Sequence, residues 1–225
     1  MKKKHNDSKK LWLNVDKKMK NKNITLGKYA SQIYLDDPIA LSFKTSRYKF
    51  CSKILISKKN ILEVGCGDAF GSSIVAQFSE SMTCTDINTP LLNDNKKRLK
   101  VKKNMHFEYH DFRDHSFPKN FDGCLMIDVI EHIFPKEQDK FMKNICSSLE
   151  ADAICIIGTP NITSNKYASK YSKMAHVNMK NHKTLSAIGN KYFKNHLIFG
   201  MNDEVVHTGF YNMSHFLWLV GISPR

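Results

Sequence analysis

Arginine is nearly missing from this chain: of 35 basic residues only Arg47, Arg98, Arg113 and Arg225 are arginine, and the other 31 are lysine. Arginine makes the bidentate contacts to phosphates and base edges. The formal net charge of +14 therefore reads first as a solvated lysine coat and only second as a nucleic-acid surface. Lys2-Lys3-Lys4, Lys17-Lys18, Lys96-Lys97 and the lysines between 100 and 103 would still attract a polyanion over a distance that salt shortens. Long apolar runs are also missing. Phe216 to Ile222 is far below the ~18 residues that span a bilayer, and no signal peptide is expected at the lysine-rich start. Cys51, Cys66, Cys84, Cys124, Cys146 and Cys155 contain no Cys-x-x-Cys pair. That spacing excludes a zinc finger or disulfide framework and fits core thiols in a reducing cytoplasm. No internal repeat is present.

What the chain does have is Ile61-Leu62-Glu63-Val64-Gly65-Cys66-Gly67-Asp68, followed by the helix-forming Ser72 to Phe78. An apolar strand that ends in Gly-x-Gly turns tightly and brings bare main chain close to a ligand, with amides of the next helix facing it. The third glycine of a dinucleotide loop is missing, because Phe70 stands there, and no Gly-Lys-Ser/Thr ending makes a P-loop. Glu63, two residues before the first glycine, suits a cofactor with a positive end. Met82 to Ile87 is a second short strand run whose Asp86 lies 23 residues after Glu63, the spacing at which an acid takes both hydroxyls of a ribose. The other reading of Asp86 is a cap or turn residue before Asn88 and Pro90.

Further strands are expected at Met105 to Phe112, Phe121 to Ile127 and Ala153 to Asn161, with a helix between the last two carrying Phe141, Met142, Ile145 and Leu149 at spacings of three and four. This alternation predicts an α/β fold with helices on both faces of a mostly parallel sheet. The Glu-x-Gly-x-Gly strand end and the ordered acids after it resemble the class I S-adenosylmethionine (SAM) methyltransferases over roughly residues 55–165. The resemblance implies a Rossmann-like seven-stranded sheet whose last strand is antiparallel, closed by Lys194 to Met201 and Ser214 to Ile222. It implies SAM as cofactor, held by Glu63, Gly65, Cys66, Gly67, Asp86, Ile87 and Asp128. Asp111 would receive the adenine amino group, with Asp114 as a substitute, and Phe112 would lie against the ring.

Asp128, Glu131 and His132 form Asp-x-x-Glu-His, expected at a helix start where positions i, i+3 and i+4 share a face. Two carboxylates and an imidazole there can hold a divalent cation such as magnesium. The element resembles the Glu-x-x-Glu-His of ubiquinone-biosynthesis O-methyltransferases and Hen1-type small-RNA 2′-O-methyltransferases, with Asp128 in place of a glutamate. That likeness implies a further histidine ligand, His176, with His182 behind it. Without a metal, His132 or His176 is the expected general base and Asp128 borders the transferred methyl group.

Three regions are expected: a basic mobile arm over 1–24, a helical lid over 25–57, and the catalytic domain over 58–225. Met201 to Phe210 reads either as a recognition loop carrying Asp203, Glu204 and His207 or as a solvated hairpin turning at Gly209. With His176 to Met179 it resembles a group of little-characterised bacterial class I methyltransferases. The expected activity is SAM-dependent O-methylation of a small hydroxylated metabolite or sugar. The alternatives are an RNA 2′-O-methyltransferase and a SAM-binding module without catalysis.

Overall fold

The computed structural model describes residues 7–19 and 23–225; the lysines at 2–4 and part of the expected arm lie outside them. The strands are β1 (Asn60–Val64), β2 (Ser81–Asp86), β3 (Met105–Tyr109), β4 (Phe121–Ile127), β5 (Leu149–Pro160), β6 (Phe193–Asn202), β7 (Val205–His207) and β8 (Phe216–Pro224). The helices are α1 (Ser8–Lys18), α2 (Lys28–Asp36), α3 (Pro38–Ile54), α4 (Ser72–Ala76), α5 (Thr89–Arg98), α6 (Gln138–Cys146), α7 (Lys170–Ala175) and α8 (His182–Tyr192).

The strands form one sheet in the order β3-β2-β1-β4-β5-β8-β6-β7. The first five run parallel, and β8 inserts antiparallel between β5 and β6. The expected seven strands are all present, and the short β7 adds an eighth at the edge.

Parallel strands covered on both faces are apolar throughout, because successive side chains enter opposite cores. Leu62 and Val64 of β1, Cys124 and Met126 of β4, and Leu217 and Leu219 of β8 join Phe141, Ile145, Leu185 and Ile188 from α6 and α8. Ile61, Leu125, Ile156 and Trp218 face the other way, against Cys51 and Leu55 at the end of α3, Val75 of α4 and Leu92 of α5. All six cysteines are free and buried in these layers. Gly158 of β5 is required by the second layer, since a Cβ there would sit 2.4 Å from the Trp218 ring. Gly158→Ala is expected to destabilise the fold by about 1–3 kcal/mol, seen as a lower urea midpoint.

The region before β1 folds as α2 and α3. Asp37 caps α3 by accepting from the Ile39 amide at 3.2 Å, and Pro38 occupies the first turn, where its missing N–H is harmless. Residues 8–18 form α1 and bury none of their side chains.

Two local expectations are corrected. The hairpin after β6 turns at Asp203, whose φ of 51° an aspartate tolerates, and Gly209 lies beyond β7. Asp128 to His132 does not open a helix. Asp128 has φ 55°, Ile130–His132 is a single 3-10 turn, and α6 starts only at Gln138. Pro135 disfavours a helical conformation at Phe134, so the turn cannot continue.

Candidate functional site

The carboxyl ends of β1 to β4 open into one cavity of about 470 Å³. It lies where the strand order reverses about β1, the crevice in which doubly wound sheets bind ligands, and its size is in the range of small-molecule sites. Asp111 and Phe112 line it beyond β3, Asp86 and Ile87 beyond β2, the glycine loop beyond β1, and Asp128 and His132 beyond β4.

The loop is held from beneath. The Gly65 and Cys66 amides both donate to the Thr85 carbonyl at 2.9 Å, and the Gly67 amide donates to Asp86 Oδ2 at 2.8 Å. Gly65 has φ +72° and a Cβ there would meet Val129 at 2.5 Å, so positive φ and close approach both demand glycine. Asp86 Oδ1 accepts the Asn88 amide at 2.8 Å. Each of its oxygens keeps a lone pair for a ligand hydroxyl. From α5, Asn95 donates to the Gly67 carbonyl at 2.8 Å and Arg98 to that of Asp68 at 2.6 Å. The helix that follows the loop, α4, is only five residues long and lacks a side-chain cap.

Glu63 does not line the cavity. It is buried under the loop, where the Tyr48 hydroxyl of α3 donates to its Oε1 at 2.9 Å and burial raises its pKa. Cys66 lines the cavity although the residue is buried, and burial pushes its thiol up. Asp111 is gripped by Arg113, whose amide and Nε each lie 2.9 Å from Oδ1. These bonds hold its pKa below the usual carboxylate value. Phe112 is buried, edge-on to Phe141. Asp114 does not reach the cavity.

Helix α2 is tied to the loop by a residue that motif spacing does not single out. Asp68 Oδ2 accepts the Ala30 amide in the first turn of α2 at 2.7 Å, acting as a cap supplied from another element. Gly27 allows that approach, since a Cβ there would lie 2.3 Å from the Asp68 Cβ. Asp68→Ala is expected to loosen α2 by about 0.5–2 kcal/mol, measured as faster amide exchange over residues 28–36 with the β1–β4 core unchanged.

At the β4 end, Arg47 of α3 donates to Asp128 Oδ2 at 2.9 Å and its guanidinium lies 3.9 Å over the Phe216 ring. Lys44 stands 4.0 Å from the same oxygen. Glu131 points inward, fully buried. Thr159 donates to its Oε2 at 2.9 Å, and burial, then Asp128, raise its pKa to about 8. His132 points outward, its Nδ1 3.0 Å from the Ala175 carbonyl. A carbonyl only accepts, so Nδ1 carries the proton and Nε2 is free, 4.0 Å from Glu131 Oε1. His176 is brought beside it because the Val177 and Asn178 amides both donate to the Glu131 carbonyl at 3.0 Å. Burial, then His132, lower the His176 pKa.

One donor atom each from Glu131, His132 and His176 lies within 4.8 Å of the others. Glu131 Oε1 and His176 Nδ1 are buried without a hydrogen-bond partner. Asp128 is outside this group, its carboxylate turned to Arg47 and Lys44. Of the four, only Asp128 and His132 line the cavity. His182 stacks on Tyr211 instead, and Asp203, Glu204 and His207 sit on the β6–β7 hairpin outside the lining. There Glu204 accepts from Ser42 Oγ of α3 at 3.3 Å.

Residues 61–152 match the family described as a methyltransferase domain. A curated relative, the fatty-acid O-methyltransferase of Mycolicibacterium smegmatis, is 30% identical over 108 residues. The match takes in 44% of this chain, which spans only 39% of that relative's length. Among solved structures, the methyltransferase domain of a bacterial Hen1 aligns with TM-score 0.66 at 19% identity, covering 81% of this chain and 100% of that one. The N-methyltransferase NodS of Bradyrhizobium japonicum, bound to S-adenosylhomocysteine (SAH), aligns with TM-score 0.63 at 14% identity, covering 81% and 88%. The glycine loop lies within the matched residues 61–152, and the sheet order is that of the methyltransferase fold these structures share.

Proposed function

We propose that this methyltransferase domain binds SAM in the cavity and transfers its methyl group to an oxygen of a small hydroxylated acceptor. One observation carries the reading: a single cavity joins the Gly65–Gly67 loop and Asp86 to Asp128 and His132. A cofactor with its ribose on Asp86 and its adenine toward Asp111 and Phe112 would place its other end beside Asp128. SAM supplies an electrophilic methyl on a sulfonium, and the protein's task is to align an acceptor and take its proton. His132 lines the cavity and its Nε2 has no hydrogen-bond partner among the described residues, so it would take the acceptor hydroxyl's proton, while bound SAM would supply the methyl group and leave as SAH. The relative named as a fatty-acid O-methyltransferase supports oxygen as the target.

A second reading is favoured by the two orphaned buried atoms of Glu131 and His176. Glu131, His132 and His176 each bring one donor atom within 4.8 Å of the others, a spacing that fits a divalent cation, and two imidazoles beside one carboxylate suit a transition metal better than magnesium. Such an ion would lower the pKa of an acceptor hydroxyl, and the Hen1 likeness then points to an RNA 2′-hydroxyl.

Calorimetry with SAH, followed by labelled methyl transfer from SAM with and without chelator, tests both. SAH binding with chelator-resistant transfer to small hydroxylated acceptors is expected. Transfer to RNA that chelation abolishes would establish the second reading. Absence of SAH binding would remove both.

A further inference from the structure

We propose that α1 is an interfacial helix that lays its apolar face on an anionic lipid bilayer. Asp7 caps it, accepting the Lys9 amide at 3.0 Å, yet none of its residues is buried. At 11 residues an isolated helix is marginal in water, so α1 needs a surface to lie on. Its exposed apolar side chains fall on one side: Leu11, Val15 and the C-cap Met19 follow each other at intervals of four, with Trp12 beside them. Their exposures are 51%, 47%, 59% and 63%. At 100° per residue these four span an arc of about 100°, and Leu13 alone lies outside it.

Charge complementarity names the occupant. Lys9, Lys10, Lys17 and Lys18 face only Asp16 within the helix. Lys18 adjoins the apolar stripe, where its stem can lie along the surface with the ammonium among headgroups. A basic helix with a tryptophan-bearing apolar face is the composition of an in-plane membrane helix. RNA would use the lysines but leave Leu11, Trp12 and Val15 in water, and it is therefore the poorer partner. The inference does not depend on the methyl-transfer reading.

The full chain offers a direct readout. It has two tryptophans, and Trp218 is fully buried, so a change in emission on adding vesicles reports Trp12. Vesicles of phosphatidylcholine with phosphatidylglycerol are expected to sediment with the protein and shift its emission to the blue, while phosphatidylcholine alone does so weakly. L11D/V15D is expected to lose the shift and at least about tenfold in partitioning. Replacing all four lysines by glutamine is expected to cost more than about 100-fold. Because α1 buries nothing, neither variant should change the thermal midpoint or SAH affinity. Three results would each overturn the proposal. One is no binding to anionic vesicles. Another is vesicle binding that L11D/V15D leaves intact, which would be lysine attraction alone. The third is Trp12 emission already blue and shielded from acrylamide in free protein, which would mean that α1 packs on its own fold or on a second copy. Single-stranded RNA binding without vesicle binding falls under the first.

Discussion

Replacing Asp86 by alanine is expected to weaken SAH binding by about 100- to 10,000-fold while leaving the fold intact. The carboxylate acts twice. Its Oδ2 accepts the Gly67 amide and its Oδ1 the Asn88 amide, each at 2.8 Å, and the remaining lone pairs are those proposed to receive the two ribose hydroxyls. Hydrogen bonds to a charged group contribute about 1.5–3 kcal/mol each. Losing the pair to the ligand therefore costs about two to four powers of ten in affinity, before any loosening of the loop. Asp86→Asn should fall between the two, because one acceptor oxygen survives while the new amide turns a donor toward a backbone N–H. Calorimetry gives the affinities, and far-ultraviolet circular dichroism with a thermal midpoint shows whether the fold persists. A folded alanine variant that binds SAH like the parent would take the ribose away from this end of β2.

The contrast between Asp86 and Glu63 shows what local spacing can and cannot convey. Asp86, Gly65 and Gly67 lie where motif spacing predicts because strand, turn and next strand are linked by short chain segments with few alternatives. Glu63 has the same local credentials, but Tyr48, on a helix outside the motif, reaches its carboxylate and buries it under the loop. Asp68, Arg47 and Lys44 illustrate the same limit. The Arg47–Asp128 contact joins residues 81 positions apart, and only the assembled fold makes it. The helix expected at Asp128 failed for a local reason that was in view, since Pro135 follows too closely. The small edge strand β7 needed the tight turn at Asp203, whose left-handed backbone the composition does not announce. His176 is the reverse case: nothing in its spacing points to His132. A likeness to known enzymes placed it there, and the Val177 and Asn178 amides on the Glu131 carbonyl supply the physical reason.

For His132→Ala the expected result is a fall in methyl transfer of about 10²- to 10⁴-fold, the usual worth of a positioned general base, with SAH affinity within about twofold of the parent. Two features make the prediction sharp. His132 lines the cavity at the β4 end, away from Asp86, so its loss removes little that holds the cofactor. Its Nδ1 proton is committed to the Ala175 carbonyl, which fixes the ring and leaves Nε2 as the acceptor. His176→Ala separates the two chemical readings. His176 does not line the cavity, so in the general-base reading its removal should lower transfer by only about tenfold or less, through poorer support of the His132 ring. If instead Glu131, His132 and His176 jointly hold a cation, either histidine variant should lose activity to a similar degree, and both should lose bound metal in elemental analysis. Equal losses without any metal in the parent protein would make the pair a unit that moves the proton together. Full activity in His132→Ala would remove the base assignment altogether and leave alignment in the cavity as the protein's main contribution.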